Sequence, residues 1–221
     1  MLAALVVHAW PEGLPQALAD LHDNAGLTVI SVITPLAASR PEARLAIRNA
    51  IQHTVAAWLS QPLSAITLLS SPGQPVQVLA PSAPLYVAIS HMPGLSVAAI
   101  CTHGAVGVDV MALGAQALPP DWAQVAHDYL GPLVTATLHQ QPNTHRPGAF
   151  AQAWVSVEAR LKCLGLGLTE WTPALRQRLD ACDCWPIDLP QGGYGAVATH
   201  RHRDSVFEGN HRGSRAAAVA A

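Results

Sequence analysis

The chain has 221 residues, with 12 Lys plus Arg against 14 Asp plus Glu, a formal net charge of −2 and a pI near 6.6. That balance lacks the cationic excess that drives sequence-independent nucleic-acid binding, so no nucleic-acid partner is expected. Half of the residues are hydrophobic and 12% are charged, enough apolar content to bury the core of one composite domain.

The opening MLAALVVHAWPEG has no basic start and too short an apolar run for a signal peptide or a membrane span; it reads as a buried strand, with no membrane partner expected. PEGLPQALADLHDNAG follows as a short helix closed by Asn24 and Gly26, then LTVISVI as a β-branched strand. A long helix starts at Ser39, Pro41 and Glu42: a cap, a residue suited to the first turn, and the acid that closes a capping box. Its expected apolar stripe is Leu45, Ala46, Ile51, Val55, Trp58 and Leu59, with Arg40, Arg44 and Arg48 four apart as one ridge on another face. From Ile66 to Met111 the runs AITLLSS, PVQVLA, LYVAIS, LSVAAICT and AVGVDVM, separated by turn residues, predict an antiparallel meander.

After Pro119-Pro120 a helical region is broken at Gly131-Pro132, and HQQPNTHRPG, from His139 to Gly148, reads as a polar loop. Phe150, Trp154, Val157, Leu161 and Leu164 then recur at steps of four and three, the single apolar face of a helix ended by Gly165 and Gly167. Glu158 and Lys162 share a different, polar face of it. A helix from Pro173 to Cys182 leads to a last strand, GYGAVAT, and residues 201–221, without periodicity, read as a mobile tail. The expected class is α+β in two similar halves, 1–104 and 105–200, each with a long helix and short strands. Cys101, Cys163, Cys182 and Cys184 are too scattered for a disulfide framework, so reduced thiols and a cytoplasmic location are expected. The Cys-x-Cys at Cys182 lacks the second pair that a zinc site needs.

Three polar islands stand in apolar surroundings: Ser90-His91 after YVAI, Asp109 within AVGVDVM, and Glu158 with Lys162, the one lysine of the chain. A carboxylate between two valines of a strand is costly to bury unless a hard cation or an arginine pairs with it, or the strand edge faces water. Glu158 and Lys162 alone are an ordinary helical ion pair. Together, two carboxylates, a histidine, a lysine and an arginine ridge are what Mg²⁺ and a polyphosphate ligand require. A hydrolase built on Ser90-His91 is a poor reading, because adjacent strand residues point to opposite faces and no nucleophile elbow is present.

The motifs Gly73-Gln74-Pro75, Ser90-His91, Gly107-Val108-Asp109, Trp154 to Lys162 and Gly165-Leu166-Gly167-Leu168 resemble, in order and spacing, those of the Sfp-type 4′-phosphopantetheinyl transferases. The likeness runs from about Arg40 to Leu168. It implies two α+β halves related by a pseudo-two-fold, with coenzyme A in the cleft between them and its phosphopantetheine arm passed to a serine of an acyl or peptidyl carrier protein. It further implies that Asp109 and Glu158 hold Mg²⁺, that Ser90, His91, Arg40 and Arg44 take the 3′-phosphate end of the ligand, and that Lys162 takes its pyrophosphate. The Gly73-Gln74-Pro75 turn would line the same site. Glu158 would accept the serine proton, a monomer is expected, and the larger Sfp-like form points to secondary metabolism. Three positions depart from the pattern: Met111 where a second acid often stands, Val157 where a Lys is usual, and Gln74 in place of the Lys of the turn. They define an alternative, a non-catalytic binder of coenzyme A or of a carrier protein.

Overall fold

A computed structural model describes residues 4–23, 26–71, 76–81, 84–112, 118 and 120–200. The fold is α+β, with six α-helices and two mixed sheets among the described residues. In chain order the elements are β1 (Leu5–Val6), β2 (His8–Ala9), α1 (Leu14–His22), β3 (Leu27–Ile33), α2 (Arg40–Leu59), β4 (Thr67–Leu69), β5 (Val76–Leu79), β6 (Tyr86–Met92), β7 (Leu95–Cys101) and β8 (Val106–Met111). Then follow α3 (Trp122–Leu130), α4 (Pro132–Gln140), α5 (Arg146–Cys163), α6 (Pro173–Leu179), β9 (Cys182–Asp188) and β10 (Tyr194–His200). The first sheet has the order β2-β3-β7-β6-β5-β4 and the second β1-β9-β10-β8.

The opening segment is not one strand. β1 pairs in parallel with β9 in the second sheet, whereas β2 pairs with β3 in the first, so the chain passes from one sheet to the other at Val7. The expected meander holds through β4, β5, β6 and β7, but β8 leaves it and pairs with β10. The reason lies in pairing: β7 already has β6 on one side and β3 on the other, which leaves no edge for β8 to join. The expected last helix also stops early, at Leu179, and Cys182 opens a strand that pairs with β10.

Helix α2 begins with the capping box in place: the Ser39 hydroxyl accepts from Glu42 N–H, and the Glu42 carboxylate accepts from Ser39 N–H at 2.7 Å. Its buried stripe is Ile47, Ala50, Ile51, Thr54 and Val55; Leu45, expected inside, is 71% exposed. Helix α5 starts inside the segment expected as a loop, because Pro147 supplies a first-turn residue with no N–H to satisfy. It also buries more than the one face expected. Phe150 and Leu161, with Val157 half-buried, meet the helical side, while Ala151, Val155, Ala159 and Cys163 are buried, with Val155, Ala159 and Cys163 packed on the second sheet.

Alternation along β6 places two cores on its two sides. Val87 and Ile89 pack with Ile47, Ile51 and Val55 of α2, while Ala88 packs with Val108, Val110 and Val197 of the second sheet. Ser90 and His91, at the end of the same strand, continue these two faces.

Candidate active site

A cavity of about 1100 Å³ opens around that strand end, lined by α2, by the segment from Thr34 to Ala38, by the β6–β7 hairpin, and by Asp109 and Lys162. Four cations line it, Arg40, Arg44, Arg48 and Lys162, against one carboxylate, Asp109. A chain of net charge −2 thus presents a cationic hollow.

On the second-sheet side, Lys162 and Asp109 meet. From the last turn of α5 the ammonium donates to Asp109 Oδ1 at 2.7 Å, to Val108 O at 3.1 Å and to Ser90 Oγ at 3.4 Å. All three of its donors are used within the protein. Ser90 in turn donates to Asp109 Oδ1 at 2.8 Å and accepts from Val110 N–H at 3.3 Å, satisfying a backbone group of the edge strand β8. The partner of the Asp109 carboxylate is therefore lysine, not arginine or open water. Only 9% of Asp109 is exposed, which is tolerable because the carboxylate is paired and hydrogen-bonded.

Gly107 permits this meeting. A Cβ there would lie 1.9 Å from Ala159 O and 2.5 Å from Cys163 N, so only glycine lets α5 approach β8 closely enough for Lys162 to reach Asp109.

Glu158, one turn back on α5, is half-buried. Among the described residues its carboxylate forms no ion pair with Lys162, contrary to the expected i,i+4 pair, because the ammonium turns to Asp109. Burial, and then the Asp109 charge, push the Glu158 carboxyl above the usual carboxylate range, against the opposing pull of Lys162. A divalent cation beside Glu158 and Asp109 would offset the cost of ionising Glu158. Among the described residues no three His, Cys, Asp or Glu side chains gather into a closed metal cage. Magnesium characteristically needs none, taking one or two carboxylates and completing its shell with water and ligand phosphate oxygens. The residues present fit it.

On the α2 side, His91 lines the cavity and its Nδ1 lies 2.8 Å from Ser96 Oγ. Burial, then the charges of Arg44, Arg40 and Lys162, hold the imidazole below its usual pKa. Arg40 and Arg44 are exposed and have no hydrogen-bonded partner among the described residues. Arg48 does not continue their ridge as a free cation, since its guanidinium donates to Ser70 Oγ and to Leu68 O beside β4. The Gly73-Gln74-Pro75 turn lies outside the described residues, as do residues 201–221; Ser71 and Val76 on either side of the turn both line the cavity.

The departures have structural settings. Val157 packs with Phe150, Leu161, Leu175 and their neighbours, away from the cavity, and Met111 packs beside Val155 and Ala159. No disulfide joins the four cysteines; the hydrogen bond with Cys182 and then burial push the Cys163 thiol above its usual range, and burial pushes Cys184 up, which leaves both unreactive. Sequence reading missed Ser96. Its signal was present, since Met92-Pro93-Gly94-Leu95 closes a tight hairpin, with φ +80° at Gly94, and sets Ser96 opposite His91.

The family model described as the 4′-phosphopantetheinyl transferase superfamily matches residues 105–220. Asp109, Glu158 and Lys162 fall within it; Arg40, Arg44, Ser90 and His91 precede it. No curated protein matches the chain.

Proposed function

The chain belongs to the 4′-phosphopantetheinyl transferase superfamily, and from that membership we propose that it is an Sfp-type enzyme, moving the phosphopantetheine arm of coenzyme A to a serine of an apo acyl or peptidyl carrier protein. The observation that carries this reading is the single cavity that gathers Arg40, Arg44 and His91 from one side of β6 and Asp109 and Lys162 from the other. Its volume, about 1100 Å³, stands at the upper end for small-molecule sites and suits a ligand as large as coenzyme A.

In this reading Arg40 and Arg44, exposed and without a hydrogen-bonded partner among the described residues, grip the 3′-phosphate with His91 beside them, while Ser90, its hydroxyl taken up by Asp109, Lys162 and Val110, orders the opposite wall of the cavity. Lys162 contacts the pyrophosphate, a compact ammonium on a flexible stem that can exchange one internal acceptor for a phosphate oxygen. Asp109 and Glu158 would hold Mg²⁺, which when bound supplies charge neutralisation at the pyrophosphate. Glu158, its proton affinity raised by burial and by Asp109, accepts the serine proton. The serine oxygen then forms a bond to the β-phosphorus, the bridging P–O bond breaks, and 3′,5′-ADP leaves. Positioning and charge stabilisation dominate such a transfer.

Intact-mass spectrometry of an apo carrier protein incubated with the chain, coenzyme A and Mg²⁺ tests the reading. A phosphopantetheine mass gain is expected, dependent on Mg²⁺ and lost in Glu158→Ala. No gain on any carrier, with coenzyme A still bound, would instead identify a binding module.

A further inference from the structure

His91 and Ser96 face each other across the β6–β7 hairpin as a directly opposed pair. Ser96 is fully buried, and among the described residues its hydroxyl has one hydrogen-bonding partner, His91 Nδ1 at 2.8 Å. A buried hydroxyl carries one hydrogen, and leaving that hydrogen without an acceptor is unfavourable. If Nδ1 were protonated it would donate to Ser96 Oγ, and the serine hydrogen would then have nowhere to go. If Nδ1 is bare, the serine donates to it and both groups are satisfied. We propose that Ser96 is a positioning residue that fixes His91 as the Nε2–H tautomer, so that a neutral imidazole offers its remaining N–H to an anionic oxygen in the cavity.

The groups around the ring agree. Burial first, and then Arg44 and Arg40 on α2 and Lys162 on α5, oppose a further positive charge on His91, so the ring's burial, the cavity's cationic field and the serine hydroxyl all favour the neutral ring. The division of labour is then clear: the guanidinium groups supply charge, and His91 supplies a directed neutral donor. With Nδ1 held inward, Nε2 is the polar atom that His91 can present to the cavity it lines. That the anionic oxygen belongs to the 3′-phosphate of coenzyme A rests on the function proposed above.

The test is nitrogen-15 NMR of the full chain labelled at histidine, without ligand, with the His91 signals assigned by their loss in His91→Gln. The expected result is an unprotonated Nδ1 and a protonated Nε2 in the parent protein at neutral pH. In Ser96→Ala the His91 signals should move towards mixed tautomers or imidazolium while the other histidines stay in place. A protonated Nδ1 in the parent protein overturns the inference even if Ser96→Ala does not fold, and so does an unchanged His91 in a folded Ser96→Ala. Calorimetry with coenzyme A and with its 3′-dephospho form separates this from the functional reading. Ser96→Ala should weaken coenzyme A by about fivefold and leave the dephospho form nearly unaffected. Failure of the parent protein to bind either compound would sink the functional reading and leave the tautomer result standing.

Discussion

The Lys162 ammonium ties α5 to β8 through Asp109, Val108 and Ser90, and a guanidinium in its place would have to fit a planar fork into a space shaped for three separate acceptors. Lys162→Ala is expected to lower transfer about a hundredfold or more, the scale of losing one preorganised charge-stabilising donor, and also to lower the melting temperature, because the buried Asp109 loses its partner. Transfer measured well below that lower melting temperature separates the two effects, and activity that returns in the folded variant would leave the lysine a structural role alone. Glu158 works in the opposite direction. Its carboxyl is raised in the folded protein, so the native state keeps the proton to higher pH than the unfolded chain. Stability is then lost as pH rises from the unfolded value through the folded one, and at neutral pH the ionised group is a net burden. Glu158→Gln should therefore melt higher than the parent at neutral pH without ligand, with the two converging in acid. An equal or lower melting temperature at neutral pH would refute this. None of these partnerships is written locally: Asp109 and Lys162 are 53 residues apart, so the sequence could nominate both side chains but not say that each is the other's partner.

Among the elements, α2 was the most legible and β8 and β9 the least. The capping box of α2 needs only Ser39 and Glu42, three residues apart, and such local chemistry reads directly from the chain. The alternation in AVGVDVM is the same whichever sheet receives it, and its placement depends on β3 having taken the free side of β7. Strand β9 carries Asp183, Pro186 and Asp188, residues that argue against a strand until β10 and β1 are there to pair with it. Leu45 was misplaced for a related reason: helical spacing fixes which residues share a stripe, but the packing partner decides which stripe is covered. Helix α5 lies close against β8 at Gly107, where an added methyl would enter the helix backbone. Gly107→Ala is expected to destabilise the protein by about 3 kcal/mol, at the upper end for overpacking, in urea unfolding followed by tryptophan fluorescence. A loss below about 1 kcal/mol would mean that α5 is free to move away. Val157 shows the limit of motif comparison: a substitution that reads as a lost phosphate contact is, in the fold, an apolar contact of α5.

For the whole molecule, the cavity draws on α2 and the hairpin of the first sheet as well as on β8 and α5. Coenzyme A should therefore stabilise all of these together, and a ligand at a hundred times its dissociation constant contributes about 2.7 kcal/mol. Calorimetric scans should show one transition that moves up as a unit, by less at high salt because Arg40 and Arg44 are exposed and screened. Two transitions, with only one responding to the ligand, would show that the sheets melt separately. The crossing at Val7 bears on the same point. Because β1 completes the edge beside β9 while β2 lies in the other sheet, the first few described residues act as a stitch between the sheets. Cutting the chain near residue 104 would not yield two self-sufficient pieces: the C-terminal fragment would lack its edge strand and expose the backbone of β9 to other chains. Co-expressed fragments should instead reassemble, through that strand and through the apolar face that β6 and β7 share with β8 and β10, a natural starting point for a split reporter.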